Sequence, residues 1–339
     1  MDYRTNSPLL LRYLANTRIF ENLAVTLNSG RRLQNRSQLL PIINSKQDNL
    51  KYLGIMIKRI VVALDPDEDT KTAIKYAIRL SRRFDATLTG LAVVDIGNVH
   101  AVIGVGGYGS DVYAMDSVED LTGDTEKVAD ELLKAFVNSA ERENLRHDQI
   151  KEQGAAAERI IGQMKYHDLL IAGRDTHFFY NEPDKNTDTL AQVVKNGVSP
   201  VLVATDLYEE VEKVLIAFDG SAAAARSLKS FVHLLPYGKD VEIDLVGIIE
   251  SKAREEDQAK SESLDQAERY LRIHNFNYIN KLKRQGEKPG TVLLQMQEEM
   301  EPNLVVLGAH AVSAIRRATF GSTTHDLITA TRKPLFLSP

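Results

Sequence analysis

The stretch LVVLGAHAVSAIRRATFGSTTH, residues 304–325, combines residue types and spacing suited to holding an anion. An apolar run meets Gly308, and thirteen residues later Gly321 is followed by Ser322, Thr323 and Thr324. Helix-compatible sequence, DLITATR, comes next. The first turn of a helix presents unpaired N–H groups and a partial positive charge, which suits phosphate. Glycine permits close backbone approach, and a Ser or Thr hydroxyl can both cap the helix and donate to a ligand. Arg316 and Arg317 lie in the connecting segment, where they would neutralise further charge. The expectation is a loop, bracketed by two glycines, that grips a phosphate chain. No Walker lysine (G-x(4)-G-K-[S/T]) occurs and no base stands out to orient water. The chemistry expected is therefore binding, with hydrolysis slow at best and no catalytic residue.

Such a loop needs a strand to deliver one glycine and a helix to begin at the other, and the chain supplies these elements twice. IKRIVVALDPDED (57–69) and VEKVLIAFDGSAA (211–223) each run a dense aliphatic segment into an aspartate, Asp65 or Asp219. Runs this apolar fit strands buried on both faces of a parallel sheet. A helix-like segment follows each, then a second strand, ATLTGLAVVD (86–95) or EIDLVGIIE (242–250). Further on, IKEQG (150–154) corresponds to KLKRQG (281–286), HDLLIAG (167–173) to PNLVVLG (302–308), and SPVLVAT (199–205) to KPLFLSP (333–339). Spacing agrees as well: 29 residues separate Asp65 from Val94, and 30 separate Asp219 from Ile249. Alternating strands and helices predict a right-handed, doubly wound, Rossmann-like α/β sheet in each half. The expected organisation is an N-terminal extension over 1–55, a first domain over 56–205 and a second over 211–339. In such sheets ligands sit beyond the carboxyl ends of the strands, where strand order reverses. Asp219 and Gly308 both belong to that edge.

The tandem plan, with Gly308-x-x-Ala311, nine residues and then Gly321-Ser322, resembles the universal stress protein family over residues 57–339. The matching motif of its ATP-binding members is G-x-x-G-x(9)-G-[S/T]. The resemblance implies an adenine-nucleotide alpha-hydrolase-like fold whose two halves pair through their last strands, PVLVAT and PLFLSP, into a pseudo-dimer within one chain. It implies ATP, with Mg²⁺ arriving only with the nucleotide, held mainly by the C-terminal half. Gly308, Ala311, Arg316, Gly321, Ser322 and Thr323 would surround the phosphates. Asp219, with Gly220 and Ser221 after it, would lie near the adenosine, and Ile248 or Ile249 would line the adenine pocket. Ala311 departs from the pattern by replacing the second glycine, and its methyl group fits only at negative φ. The function implied is that of an ATP-binding regulatory protein of the stress response. The alternative is a scaffold of the same fold that binds no nucleotide and works through its surfaces.

The first half departs further from the pattern. Its loop, GRDTHFFYNEPDKNT, keeps the spacing of Gly173, Thr176, nine residues and Asn186-Thr187. Asn186 stands where glycine is expected, and Glu182, Asp184 and Asp188 would repel phosphate. Asp65, Gly173, Thr176, Asn186 and Thr187 are expected to form a degenerate second site, a relic or a holder of something uncharged.

Other signals read more plainly. GVGGYG (104–109) satisfies G-x-G-x-x-G, but that fingerprint requires a strand immediately before it and a helix opening after it. Here it begins ten residues beyond the second strand and leads into GSDVYAMD, so a mobile loop is expected. The acids of DPDEDT (65–70) suit the first turn of a helix better than a cation site. His310 and His325 lack a third ligand nearby, so no metal site is assigned. Ser221 reads as a helix cap, and residues 251–272 as a highly charged, solvated helix.

With 339 residues and 43% of them hydrophobic, the chain is long enough for two cores. Net charge is −5, which gives no reason to expect nucleic acid or an anionic membrane as partner. Residues 1–55 carry +5, leaving −10 for the remainder. The absence of cysteine excludes disulfides, Cys-ligated zinc and thiol catalysis. No run approaches the ~18 apolar residues of a membrane span, so a cytoplasmic location is expected. The first 55 residues lack the apolar centre of a secretory signal and read as a poorly ordered extension ahead of Met56. Association of two chains is left open.

Overall fold

The computed structural model describes residues 57–95, 111–174, 189–234, 236–250, 254–309, 311–314, 317–320 and 322–339. The expected extension over 1–55 and the glycine-rich stretch 104–109 lie outside these residues. In the first half, the aliphatic runs become β1 (Arg59–Ala63), β2 (Thr87–Val94), β3 (His147–Gln153), β4 (Leu169–Gly173) and β5 (Val201–Ala204). Helices α1 (Glu68–Phe84), α2 (Asp111–Arg142), α3 (Ala156–Met164) and α4 (Thr189–Asn196) alternate with them. The second half repeats the plan with β6 (Lys213–Ala217), α5 (Ala222–Leu234), β7 (Glu242–Ile249), α6 (Arg254–Ile273), β8 (Ile279–Gln285), α7 (Pro289–Met300) and β9 (Leu304–Gly308). It closes with a small pair, β10 (Ala311–Ala314) and β11 (Arg317–Phe320), then α8 (Ser322–Ala330) and β12 (Leu335–Ser338).

The main strands form one ten-stranded sheet in the order β3-β2-β1-β4-β5-β12-β9-β6-β7-β8. Each half therefore places its strands third, second, first, fourth, fifth. Pairing is parallel within each half, as the continuous apolar runs require. The two halves meet where β12 pairs antiparallel with β5, in the register Leu335↔Val203, Phe336↔Leu202, Leu337↔Val201. This is the intramolecular pseudo-dimer expected from the sequence. Residues of the central strands are buried on both faces: Ile60–Ala63 of β1, Val214–Ile216 of β6 and Leu304–Leu307 of β9 belong to one core. The outermost strands, β3 and β8, are mostly exposed or half-buried and rich in charge.

Helix α1 shows why these segments coil. Glu68 and Asp69 occupy its first turn, Arg82 and Arg83 its last, each complementing the helix dipole. Tyr76, Ala77, Leu80 and Phe84 recur on one buried face, and Asp85 ends the helix in the left-handed conformation at φ 52°.

Two local expectations are corrected. The sequence after the glycine-rich stretch does open a helix, because α2 begins at Asp111. Ser110 and Asp111 are residue types favoured at a helix start, which outweighs the poor formers behind them. The fingerprint still lacks its strand, since β2 ends at Val94. The segment between β9 and α8 is not an irregular connection either. It folds as a hairpin with Ala311↔Phe320, Val312↔Thr319, Ser313↔Ala318 and Ala314↔Arg317 facing one another. The hairpin packs against α4 of the opposite half.

Candidate functional site

A cavity of about 220 Å³ opens at the carboxyl ends of β6, β7 and β9. This is the point where strand order reverses, since β6 has β9 on one side and β7 on the other. Its wall is apolar where strands and helix α7 meet: Ala217, Val246, Ile248, Leu293 and Leu307 line it. Its rim is polar and divided. Gly308, Thr323 and Thr324 stand on one part, and Asp219, Glu250 and Lys260 on another.

Gly308 is required by the close approach of α5. A Cβ there would lie 2.7 Å from the Ala223 carbonyl carbon and collide with the Ala224 backbone. The strand can therefore pass directly over the first turn of α5. Thr324, in the first turn of α8, donates its hydroxyl to the Gly308 carbonyl at 3.3 Å, tying that helix start to the strand end. Thr323, half-buried, lines the cavity beside it.

Asp219 is exposed, and one of its carboxylate oxygens accepts the Ser221 N–H at 2.8 Å. The Ser221 hydroxyl in turn accepts the Ala224 N–H at 3.2 Å, so Ser221 caps α5 as expected. Gly220 between them takes φ +86°, a conformation that favours glycine. The Lys260 ammonium, reaching in from α6, donates to the Asp219 carbonyl at 3.1 Å. Lys260 is the one cationic side chain lining the cavity among the described residues.

The structure thus brings Asp219, Ile248, Gly308 and Thr323 to one cavity, with Gly220 and Ser221 shaping its edge. Between Ile248 and Ile249, it is Ile248 that faces the cavity, because successive strand residues point to opposite faces. Ala311 begins β10, and Ser322 begins α8. Arg316 and Gly321 lie outside the described residues. Sequence reasoning missed Glu250, Lys260 and Leu293. Glu250 continues the alternation of Val246 and Ile248 and was readable from it, whereas Lys260 comes from a helix whose charge pattern carries no hint of the site.

The equivalent place in the first half differs by carrying an acid. Asp69 occupies the position that Ala223 holds in the second half, counting from Asp65 and Asp219. Its carboxylate is buried, with Cγ 2.6 Å from where a Cβ on Gly173 would sit. Asp65 is buried too, and its N–H donates to the Thr70 hydroxyl at 3.3 Å. The buried Asp69 carboxylate beside Gly173 makes this edge unsuited to an anion. Thr176, Asn186 and Thr187 lie outside the described residues. Among the described residues no three His, Asp or Glu side chains converge as a metal site, and no helix is long and apolar enough to cross a membrane.

Comparison with known proteins bears on the same residues. The profile of the Universal stress protein family matches residues 56–173 and 210–339. The chain is 22% identical over 290 residues to universal stress protein Slr1230 of Synechocystis sp., covering 82% of this chain and 99% of that protein. The fold is similar to that of a universal stress protein from Archaeoglobus fulgidus, with a TM-score of 0.55 at 16% identity over 83% of this chain and 95% of the other. It is also similar to PA1789 of Pseudomonas aeruginosa, a functionally unknown protein, with a TM-score of 0.50 at 15% identity over 86% and 95% of the two chains.

Proposed function

The chain belongs to the universal stress protein family as a tandem two-domain member, and on that premise we propose that it is an ATP-binding regulatory protein whose nucleotide is held by the C-terminal half. The observation that carries the reading is the cavity at the strand-order reversal, with an apolar wall for a flat base and glycine and threonine on its rim. Gly308 and the first turn of α8, with Thr323, would hold the phosphates through main-chain N–H groups and hydroxyls. Ile248 and Leu293 would enclose the base. Mg²⁺ would arrive with the phosphates. Binding would favour one conformation or partner surface by its differential affinity for the two states, and no catalytic step is assigned.

The test is to denature the purified protein, identify the small molecule released, and measure thermal shifts with ATP and Mg²⁺. Ligand at one hundred times its dissociation constant stabilises by about 2.7 kcal/mol. Gly321→Asp is expected to abolish retention while leaving the fold intact, and retention that survived it would overturn the site assignment. The second reading, a scaffold that binds no nucleotide, is favoured by the first half, where the Asp69 carboxylate is buried against Gly173. No released nucleotide and no shift at millimolar ATP would select it, and steady ADP release would instead mark an enzyme.

A further inference from the structure

Away from the cavity, two histidines and a tyrosine meet at the ends of two helices. His233 lies in the last turn of α5. Tyr270 lies one turn before His274, whose N–H bonds the Tyr270 carbonyl at 3.2 Å, so both project from one face at the end of α6. The His233 and His274 rings stand 5.6 Å apart, centroid to centroid, and the Tyr270 ring is 4.6 Å from His274. The Tyr270 hydroxyl lies 3.0 Å from His233 Nε2. His233 is exposed and the other two are half-buried, so an ion in solution can reach the cluster. Helices α5 and α6 run back against their strands, which puts these ends at the edge opposite the cavity. Lys260, which lines the cavity, is separated from His274 along α6 by roughly 20 Å.

A neutral imidazole offers one ring nitrogen to a metal, and a hydrogen bond at the other nitrogen fixes its tautomer and orientation. Tyr270 supplies that bond to His233 at Nε2, which leaves Nδ1 as the ligand atom. Among the described residues no hydrogen bond engages His233 Nδ1 or either ring nitrogen of His274. Two imidazoles on one tetrahedral ion, with metal–nitrogen bonds of about 2.0–2.1 Å, hold their centroids roughly 5 Å apart. From the observed 5.6 Å, a small side-chain rotation reaches that arrangement. Burial, with His233 and Lys239 nearby, lowers the His274 pKa from its ordinary 6.5, which keeps the ring a neutral ligand at neutral pH. Among the described residues no carboxylate joins the pair in a three-ligand cluster, so the donors are nitrogen and water. Such a set suits Zn²⁺, Ni²⁺ or Cu²⁺ rather than Mg²⁺, which takes oxygen ligands.

We propose that His233 and His274 together bind a divalent transition-metal ion, with Tyr270 positioning His233 and water completing the coordination. The ion ties the end of α5 to the end of α6, and no residue of the nucleotide pocket takes part. Isothermal titration of the full, untagged, chelator-treated chain with Zn²⁺, Ni²⁺, Cu²⁺ and Mg²⁺, in the absence of nucleotide, tests it. Cu²⁺ is expected to bind more tightly than Ni²⁺ and Zn²⁺, and Mg²⁺ not to occupy the site. His233→Ala and His274→Ala should each weaken Cu²⁺ binding by at least about tenfold. Tyr270→Phe, which keeps the ring and loses the hydroxyl, should weaken it by about tenfold. His147→Ala, on the outermost strand β3, should leave it unchanged. Electron paramagnetic resonance of the wild type with one equivalent of Cu²⁺ should show two imidazole nitrogens on the ion, a readout that needs no variant to fold. Unchanged affinity in either His233→Ala or His274→Ala, fewer than two imidazole nitrogens in the spectrum, or no binding of Zn²⁺, Ni²⁺ or Cu²⁺ would overturn the site.

Discussion

Gly308 shows how much one missing side chain can decide. Adding a single methyl group would drive it into the backbone of Ala223 and Ala224, which cannot swing aside as a side chain can. Gly308→Ala is therefore expected to cost about 1–3 kcal/mol in urea denaturation and to weaken nucleotide binding, because α5 must shift away from the strand. His167 makes a prediction about pH. Its ring is buried, with one nitrogen at 2.7 Å from the Gln163 carbonyl and the other at 2.9 Å from the Thr89 hydroxyl. Burial, helped by the nearby Arg59 charge, lowers its pKa below the ordinary 6.5. The unfolded chain then takes up a proton near 6.5 while the folded chain resists, so stability falls as pH drops below that value until the folded group titrates. The urea midpoint should decline from about pH 7.5 to about pH 5.5, and His167→Gln should flatten that part of the decline. At this scale the sequence was legible where backbone chemistry is stereotyped, as at Asp219, Ser221 and Gly308. It was silent on Lys260 and Asp69, whose importance comes from what the fold sets beside them.

Among the elements, the linker between β5 and β6 is fastened by Glu209. Its carboxylate accepts from the Lys333 ammonium at 2.7 and 2.9 Å and from the Asn303 amide at 2.9 Å, while its main chain meets the Tyr76 hydroxyl at 3.2 Å. Partial burial alone would raise the pKa of this acid, but the hydrogen bonds from Lys333 and Asn303 outweigh it and hold the group below its ordinary 4.5. Its contribution to stability is thus present above that value and is lost as pH falls through the folded pKa. Glu209→Gln should lower stability near neutral pH by about 1 kcal/mol and reduce the further loss below about pH 4.5, read from denaturation midpoints. Burial also drives the hydroxyls of Tyr76 and its ring neighbour Tyr208 up to about 12, so both donate as neutral phenols throughout this range. The repeated strands were legible because each is a dense aliphatic run ended by Asp or Gly. The β10–β11 hairpin was not: the sequence from Ala311 to Phe320 holds no Asn-Gly or Asp-Gly pair of the kind that announces most tight hairpins.

At the scale of the whole molecule, the β5–β12 seam makes one sheet of two repeats. Phe336 lies in that seam opposite Leu202, fully buried, with Phe231 edge-on at 5.8 Å. Phe336→Ala is expected to cost about 3–5 kcal/mol. Circular dichroism during urea denaturation should show a single transition moving to lower urea, because both halves share the core that is emptied. Two separate transitions would mean that the halves melt independently.

The seam also reverses direction, since within the ten-stranded sheet the strands of one half run against those of the other. The carboxyl ends of the strands in the two halves consequently face opposite edges of the shared sheet. The Asp69 carboxylate beside Gly173 at one edge therefore leaves the cavity at the other edge unaltered.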